Sequence, residues 1–259
     1  MSLTELVAVR REGAALILTL TRAERMNALS QQLRDELIGA ISAVEADGEV
    51  RGVVITGSGR AFSAGADLNE ALDCDNVPKT LRYLMGLKEA TDRIESLGKP
   101  VVAAIEGYCF TGGVELALAC DRRIAGEDAQ FSVTSSRIGS VAGLGGTQRL
   151  PRVIGASAAK DLLMTGRRIA AQEALQLGLV DVVTADPVAA AIQWIGLCAE
   201  AAPLSVWLAK VAVNIGTETT LSTALELERL LTALAFTTED RREGMASVLE
   251  HRTARFTGA

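Results

Sequence analysis

The chain has 259 residues, 49% hydrophobic and 22% charged, with a formal net charge of −6. That length allows a substantial core in one or two domains, and the acidic balance speaks against a general nucleic-acid binder. No run approaches the roughly 18 to 20 apolar residues of a membrane span, and the opening Met-Ser-Leu-Thr-Glu-Leu lacks the basic-then-apolar order of a signal peptide, so the expected location is cytoplasmic, with no membrane partner.

Taken in chain order, residues 14–20 (Ala-Ala-Leu-Ile-Leu-Thr-Leu) read as a strand. Ser30 is placed to cap a helix whose apolar face is Leu33, Leu37, Ile41 and Val44. A valine-rich strand is expected over 50–56, a polar loop over 73–78 and a helix over 79–97. A further strand covers 100–105, and a helix begins at Gly113. Short strands follow near 123–125 and 130–133. Strand, turn and helix thus recur from about residues 14, 50 and 100, the pattern of parallel strands joined by helices, an α/β fold.

Beyond residue 145 the strand signal fades, and helices are expected over 155–165, 171–178, 188–201, 204–215, 221–236 and 239–251. Gly178 reads as a helix stop, and Pro187 and Pro203 as helix starts. The shift in composition near 185–200 divides the chain into a core, 1–195, and a C-terminal helical region, 196–259. Cys74, Cys109, Cys120 and Cys198 include no C-x-x-C pair and read as reduced packing residues. His251, the single histidine, leaves no basis for a histidine-built metal site or a Ser-His-Asp triad, and no metal is expected.

Two glycine-bearing segments carry the chemistry. They are Gly57-Ser-Gly-Arg-Ala-Phe-Ser-Ala-Gly-Ala-Asp-Leu68 and Gly107-Tyr-Cys-Phe-Thr-Gly-Gly-Val-Glu-Leu-Ala-Leu-Ala-Cys-Asp121, each between a strand and a helix. The first is not a dinucleotide fingerprint, because Phe62 stands at the third glycine, and Ser63 lacks the first glycine of a nucleophile elbow. Gly143-Leu-Gly-Gly146 has no following Lys-Ser or Lys-Thr and is no phosphate loop. Taken alone, either turn is explained by a tight bend that needs glycine. Taken together, one free backbone N–H from each can converge on one carbonyl oxygen, an oxyanion hole of main chain. Glu115 then sits in the first turn of a helix apolar on nearly every side, so its carboxylate is buried; burial raises its pKa and the helix dipole lowers it.

Further motifs carry a resemblance. Ala61-Phe-Ser-Ala-Gly-Ala-Asp-Leu68, Gly112-Gly-Val-Glu-Leu-Ala117, Asp121-Arg-Arg-Ile-Ala125 and Gly145-Gly-Thr-Gln-Arg-Leu-Pro151 resemble the enoyl-CoA hydratase/isomerase (crotonase) family, in order and over nearly the whole chain. Asn27-Ala-Leu29, Gly166-Arg-Arg-Ile-Ala-Ala-Gln-Glu-Ala174, Gly178-Leu-Val-Asp181 and Glu243-Gly-Met245 agree with it. The resemblance implies a superhelix of strand–strand–helix turns, a C-terminal helical trimerisation region, and a homotrimer or hexamer. It implies an acyl-CoA thioester substrate and no cofactor beyond the coenzyme A that the substrate carries. It assigns the thioester oxygen to the N–H groups of Ala66 and Gly112, acid–base chemistry to Glu115, the adenine side to Ala64, the CoA phosphates to Arg25, and a contact from a neighbouring subunit's C-terminal helix to Phe256. Asp67, as the cap of the helix after its turn, and Leu68 border the same site.

The family's hydratases carry a second glutamate, and that position is Ser135 here. The basic residue that often follows Ala-Gly-Ala-Asp is replaced by Asn69, and the alternative isomerase acid is missing at Ala142-Gly143. One carboxylate suffices for a syn hydration or for a 1,3 double-bond shift. Hydration is the leading expectation. Isomerisation, another CoA reaction, or acyl-CoA binding without turnover are the alternatives. Arg137, two residues after Ser135, is a further candidate to reach the pocket.

Overall fold

Pairs of strands precede the helices in the computed structural model, which describes residues 5–259. An antiparallel pair opens the chain, β1 (Val7–Glu12) with β2 (Ala15–Leu20). Then come α1 (Gln31–Ala46), β3 (Gly52–Gly57), β4 (Ala61–Ser63), α2 (Leu68–Leu72) and α3 (Val77–Ser96). The next turns are β5 (Val101–Ile105), β6 (Tyr108–Phe110) and α4 (Gly112–Leu118), followed by β7 (Arg122–Gly126), β8 (Gln130–Ser132), α5 (Gly146–Ile154) and α6 (Ala156–Thr165). The chain continues through β9 (Ile169–Ala170), α7 (Ala171–Leu177), β10 (Val182–Thr184), α8 (Pro187–Ala199), α9 (Pro203–Gly216), α10 (Leu221–Ala235) and α11 (Glu239–Leu249).

Two sheets result, ordered β1-β2-β3-β5-β7-β10 and β4-β6-β8-β9. In each turn of the superhelix the first strand (β3, β5, β7) enters the large sheet and the second (β4, β6, β8) the small one. The two glycine segments run from these corners through β4 and β6 into α2 and α4. Within the large sheet β2, β3, β5, β7 and β10 run parallel, and such sheets are covered on both faces. Leu18, Leu20, Val53, Ile55, Ala103 and Ile105 point to a core shared with α1, α3 and α4. Their neighbours Ile17, Val54, Val102 and Ala104 point to a second core closed by Ala191 and Ile195 of α8. Alternation between two apolar cores, with a side-chain period of two, is why these strands read as unbroken apolar runs.

The start and stop signals act as expected. Ser30 accepts the Leu33 N–H, Gly178 ends α7 in the left-handed conformation, and Pro187 and Pro203 open α8 and α9. Several elements went unread. Along β1 only Val7 is buried, so the strand shows no apolar stripe. β4 and β6 are three-residue strands within the glycine segments, and α5 begins on glycine and contains Pro151. α11 ends earlier than expected, at Leu249.

That shorter helix changes the place of Phe256. It lies in the irregular tail after α11 rather than on the C-terminal helix, beside Gly244, where an added Cβ would come within 3.3 Å of its ring. The buried Asp240 carboxylate holds this tail by accepting the N–H groups of Thr257 (2.7 Å) and Gly258 (2.8 Å). Among the described residues no single helix is long and apolar enough to cross a membrane.

Candidate active site

The two glycine segments meet. An added Cβ on Gly65, whose φ is +93°, would lie 2.6 Å from the Gly112 nitrogen, and one on Gly112 would lie 3.1 Å from the Ala66 nitrogen. Only glycine allows backbones this close. Neither the Ala66 nor the Gly112 N–H has an acceptor among the described residues. Both residues line a cavity of about 560 Å³, together with Glu115, Ser135, Asp67 and Leu68.

The segment before α1 fixes the first turn from below. Met26 O accepts the Ala64 N–H (2.8 Å), and the Leu29 N–H donates to Gly65 O (2.8 Å). Asn27, fully buried at φ +53°, accepts the Arg22 N–H and donates to Ser58 O (3.0 Å) and Ala61 O (2.7 Å). Its carbonyl accepts the Ser63 hydroxyl, which in turn accepts the Gly65 N–H. Asn27→Ala strands buried groups on both sides and puts a less tolerant residue at positive φ; chemical denaturation is expected to show a loss of about 2–4 kcal/mol.

Asp67 caps α2, accepting the Asn69 N–H, and pairs with Arg22 at 2.5 Å. Burial works to raise its carboxyl, but the Arg22 guanidinium and the Asn69 N–H outweigh it and hold the group below its ordinary value. It is an ionised structural residue. Tyr83 from α3 donates to Asp67 O (3.2 Å), and burial pushes its phenol up to about 12, so it is a neutral donor and no second acid–base group.

Every residue from Gly112 to Leu118 is buried, and Glu115 is 2% exposed. Its Oε1 accepts two main-chain N–H groups, from Leu144 (2.7 Å) and Gly146 (2.8 Å). An added Cβ on Gly146 would lie 2.8 Å from that oxygen, so glycine there leaves room for the carboxylate. Oε2 has no partner among the described residues. Arg149 supports the clamp, donating to Leu144 O (2.9 Å) and pairing with Glu95 of α3 (2.6 Å). Burial raises the Glu115 pKa above its ordinary value; the Gly146 and Leu144 N–H groups and the Arg149 charge oppose it. A raised carboxylate facing a cavity is suited to take up and return a proton.

Ser135 opens a 3-10 turn at Ser135–Ile138 and is 5% exposed. Its hydroxyl has no partner among the described residues. Glu24 is exposed and Asp67 is ion-paired, which leaves Glu115 as the buried, unpaired carboxylate on the cavity wall. Arg137 from the same 3-10 turn is absent from the lining; its side chain donates to Thr165 O (2.8 Å) at the end of α6.

Ala64 and Arg25 line the cavity as well. Phe256 does not line this cavity within the chain. Sequence reading missed the clamp residues Leu144 and Gly146, the support from Arg149, and Arg60 beside Arg25. The motif Gly145-Gly-Thr-Gln-Arg149 is visible in the sequence, but the bonds of Leu144 and Gly146 to Glu115 span 29 and 31 residues and leave no periodic trace. Leu68 and Ala71 of α2 and Leu84 and Leu87 of α3 give the cavity an apolar stretch of lining.

The sequence model described as enoyl-CoA hydratase/isomerase matches residues 10–259. The chain is 39% identical over 258 residues to the 2,3-dehydroadipyl-CoA hydratase of Escherichia coli (strain K12), covering 99% of this chain and 100% of that protein. It is 40% identical over 244 residues to the mitochondrial enoyl-CoA hydratase of Pongo abelii, covering 93% and 82%. The crystal structure of enoyl-CoA hydratase from Bacillus anthracis superposes with a TM-score of 0.93 at 36% identity, covering 98% of this chain and 100% of that one.

Proposed function

Because the chain belongs to the enoyl-CoA hydratase/isomerase family, we propose that it hydrates an α,β-unsaturated acyl-CoA thioester, with Glu115 as its one acid–base residue. The observation that carries this reading is Glu115 on the cavity wall, with Oε1 clamped and Oε2 without a partner among the described residues. The thioester oxygen sits between the N–H groups of Ala66 and Gly112, where negative charge collects as the enolate forms; one such donor is worth about 2.7–4 kcal/mol in the transition state. Oε2 takes a proton from water as the water oxygen bonds to C3. The C2=C3 electron pair moves toward the thioester oxygen, and the enolate then takes the proton back from Glu115 at C2. Water is consumed and nothing is released. The Ser135 hydroxyl orients the water.

Arg25 and Arg60, exposed at the rim, receive the CoA phosphates, and Ala64 borders the adenine. No cofactor enters these steps beyond the CoA of the substrate. The helical region after residue 195 joins subunits into a trimer or hexamer. Its support is the apolar surface on α10, where Leu221, Leu225, Leu230 and Leu234 are all exposed, with Val213 on α9 beside them. Phe256 reaches a neighbouring subunit's site only through that assembly.

Ser135 favours a second reading, a 1,3 double-bond shift in which Glu115 moves one proton between the α- and γ-carbons. A panel of acyl-CoA thioesters with mass spectrometry of the products separates the two. Hydration adds the mass of one water, isomerisation leaves the mass unchanged and moves the double bond, and binding without either would overturn both. The pH profile adds a test. Arg149→Met removes a charge that lowers the Glu115 pKa, so the acidic limb of kcat/KM is expected to move to higher pH; an unmoved limb would mean that another group is the base.

A further inference from the structure

Among the described residues, four non-glycine residues have positive φ: Met26, Asn27, Thr111 and His251. Met26, at φ 50° and ψ 40°, is an ordinary left-handed residue. Thr111 is not, since it is β-branched and sits at φ 44° and ψ −104°, outside the left-handed basin. Such strain persists only where surrounding bonds enforce it.

Those bonds are present. The Thr111 N–H donates to Ser132 O (2.8 Å), and its carbonyl accepts the Glu115 N–H (3.0 Å). Its hydroxyl accepts the Thr134 N–H (3.1 Å) and lies 3.0 Å from the Thr134 hydroxyl. Thr134 directly precedes Ser135, and Thr111 directly precedes Gly112. The ψ angle of Thr111 sets the plane of the 111–112 peptide and so the direction of the Gly112 N–H. If Thr111 relaxed to negative φ, that peptide would rotate.

We propose that Thr111 is a positioning residue, held in its strained conformation by the hydroxyl pair with Thr134 so that the Gly112 N–H stays presented to the cavity. This rests on the assignment of Gly112 as a donor to the thioester oxygen. The same latch ties the segment carrying Ser135 to the α4 turn, so the two sides of the cavity move as one.

The test is a double-variant cycle on the full-length protein, read by kcat and by the absorption of a bound, conjugated aryl-enoyl-CoA, whose band moves to longer wavelength when its carbonyl accepts hydrogen bonds. Thr134→Val removes the hydroxyl pair alone, and Thr111→Val removes it together with the bond from the Thr134 N–H, each keeping side-chain shape. Each is expected to lower kcat about 10- to 100-fold with little change in KM, and to shrink the red shift. Thr111→Gly needs no latch, because glycine adopts this conformation without strain. It is expected to stay within about threefold of the parent, and adding Thr134→Val in that background should cost nothing more.

Thr134→Val at parental kcat, or equally harmful with Thr111 or Gly at position 111, would overturn the latch. Insoluble Thr111→Val would leave the cycle on Thr134→Val and Thr111→Gly, which decides the matter alone. A parent protein that binds the aryl-enoyl-CoA with no red shift would overturn the donor assignment, and the latch with it. A parental shift untouched by Thr134→Val sinks the latch only.

Discussion

Glu115→Gln is expected to lower turnover of the best enoyl-CoA substrate by about 10²–10⁴-fold, the range a positioned acid–base residue contributes. The substitution is close to isosteric, and the amide oxygen can still accept the Leu144 and Gly146 N–H groups, so the fold and the CoA-binding surface are retained. KM should change little. Retained full turnover in steady-state assays would remove Glu115 from the chemistry. A stability effect of opposite sign accompanies the loss. Burial raises the folded-state pKa of Glu115, so the folded protein binds more protons than the unfolded chain between the ordinary carboxylate value and the raised one. Stability from this group is therefore present at low pH and lost as pH rises through the folded pKa. Glu115→Gln lacks that decline and is expected to be the more stable protein above it, measurable by denaturant titration across pH.

Ser135→Glu is the converse experiment, and it is expected to raise hydration of crotonyl-CoA by at least about tenfold. Ser135 lines the cavity and its hydroxyl has no partner among the described residues, so a longer side chain there is expected to extend into the cavity rather than into the core. Two carboxyl groups facing one cavity do not ionise equally; one is pushed up and stays protonated. On the proposed reading, that supplies a separate acid beside Glu115 as the base. A stopped spectrophotometric assay on both proteins decides it. No gain would show that the cavity is shaped for an acyl group or a reaction other than simple hydration.

The sequence showed more of the fold than of the site's supports. The apolar runs at 14–20, 50–56 and 100–105 were readable because β2, β3 and β5 are covered on both faces. β1, solvent-exposed beyond Val7, and the three-residue β4 and β6 carry too little pattern to be read. The site residues on the two glycine turns were legible because close backbone approach demands glycine in both. The Leu144–Gly146 clamp and Arg149 were not, since their partners are distant in the chain. Phe256 was misplaced for a related reason: the tail is fixed by Asp240 at the other end of α11, a bond no periodicity reports. Nothing in the sequence marks Thr111, whose strain resides in its backbone angles alone.

The contact between Gly65 and Gly112 has a consequence for how such a chain can change over generations. Donors that belong to the main chain are not encoded by a side chain, and only proline deletes a backbone N–H. A codon change at Ala66 alters what surrounds the donor and leaves the donor in place. Position 135 is under no such protection. On the proposed reading, a point change there can alter how the proton is handled while the two backbone donors stay in place.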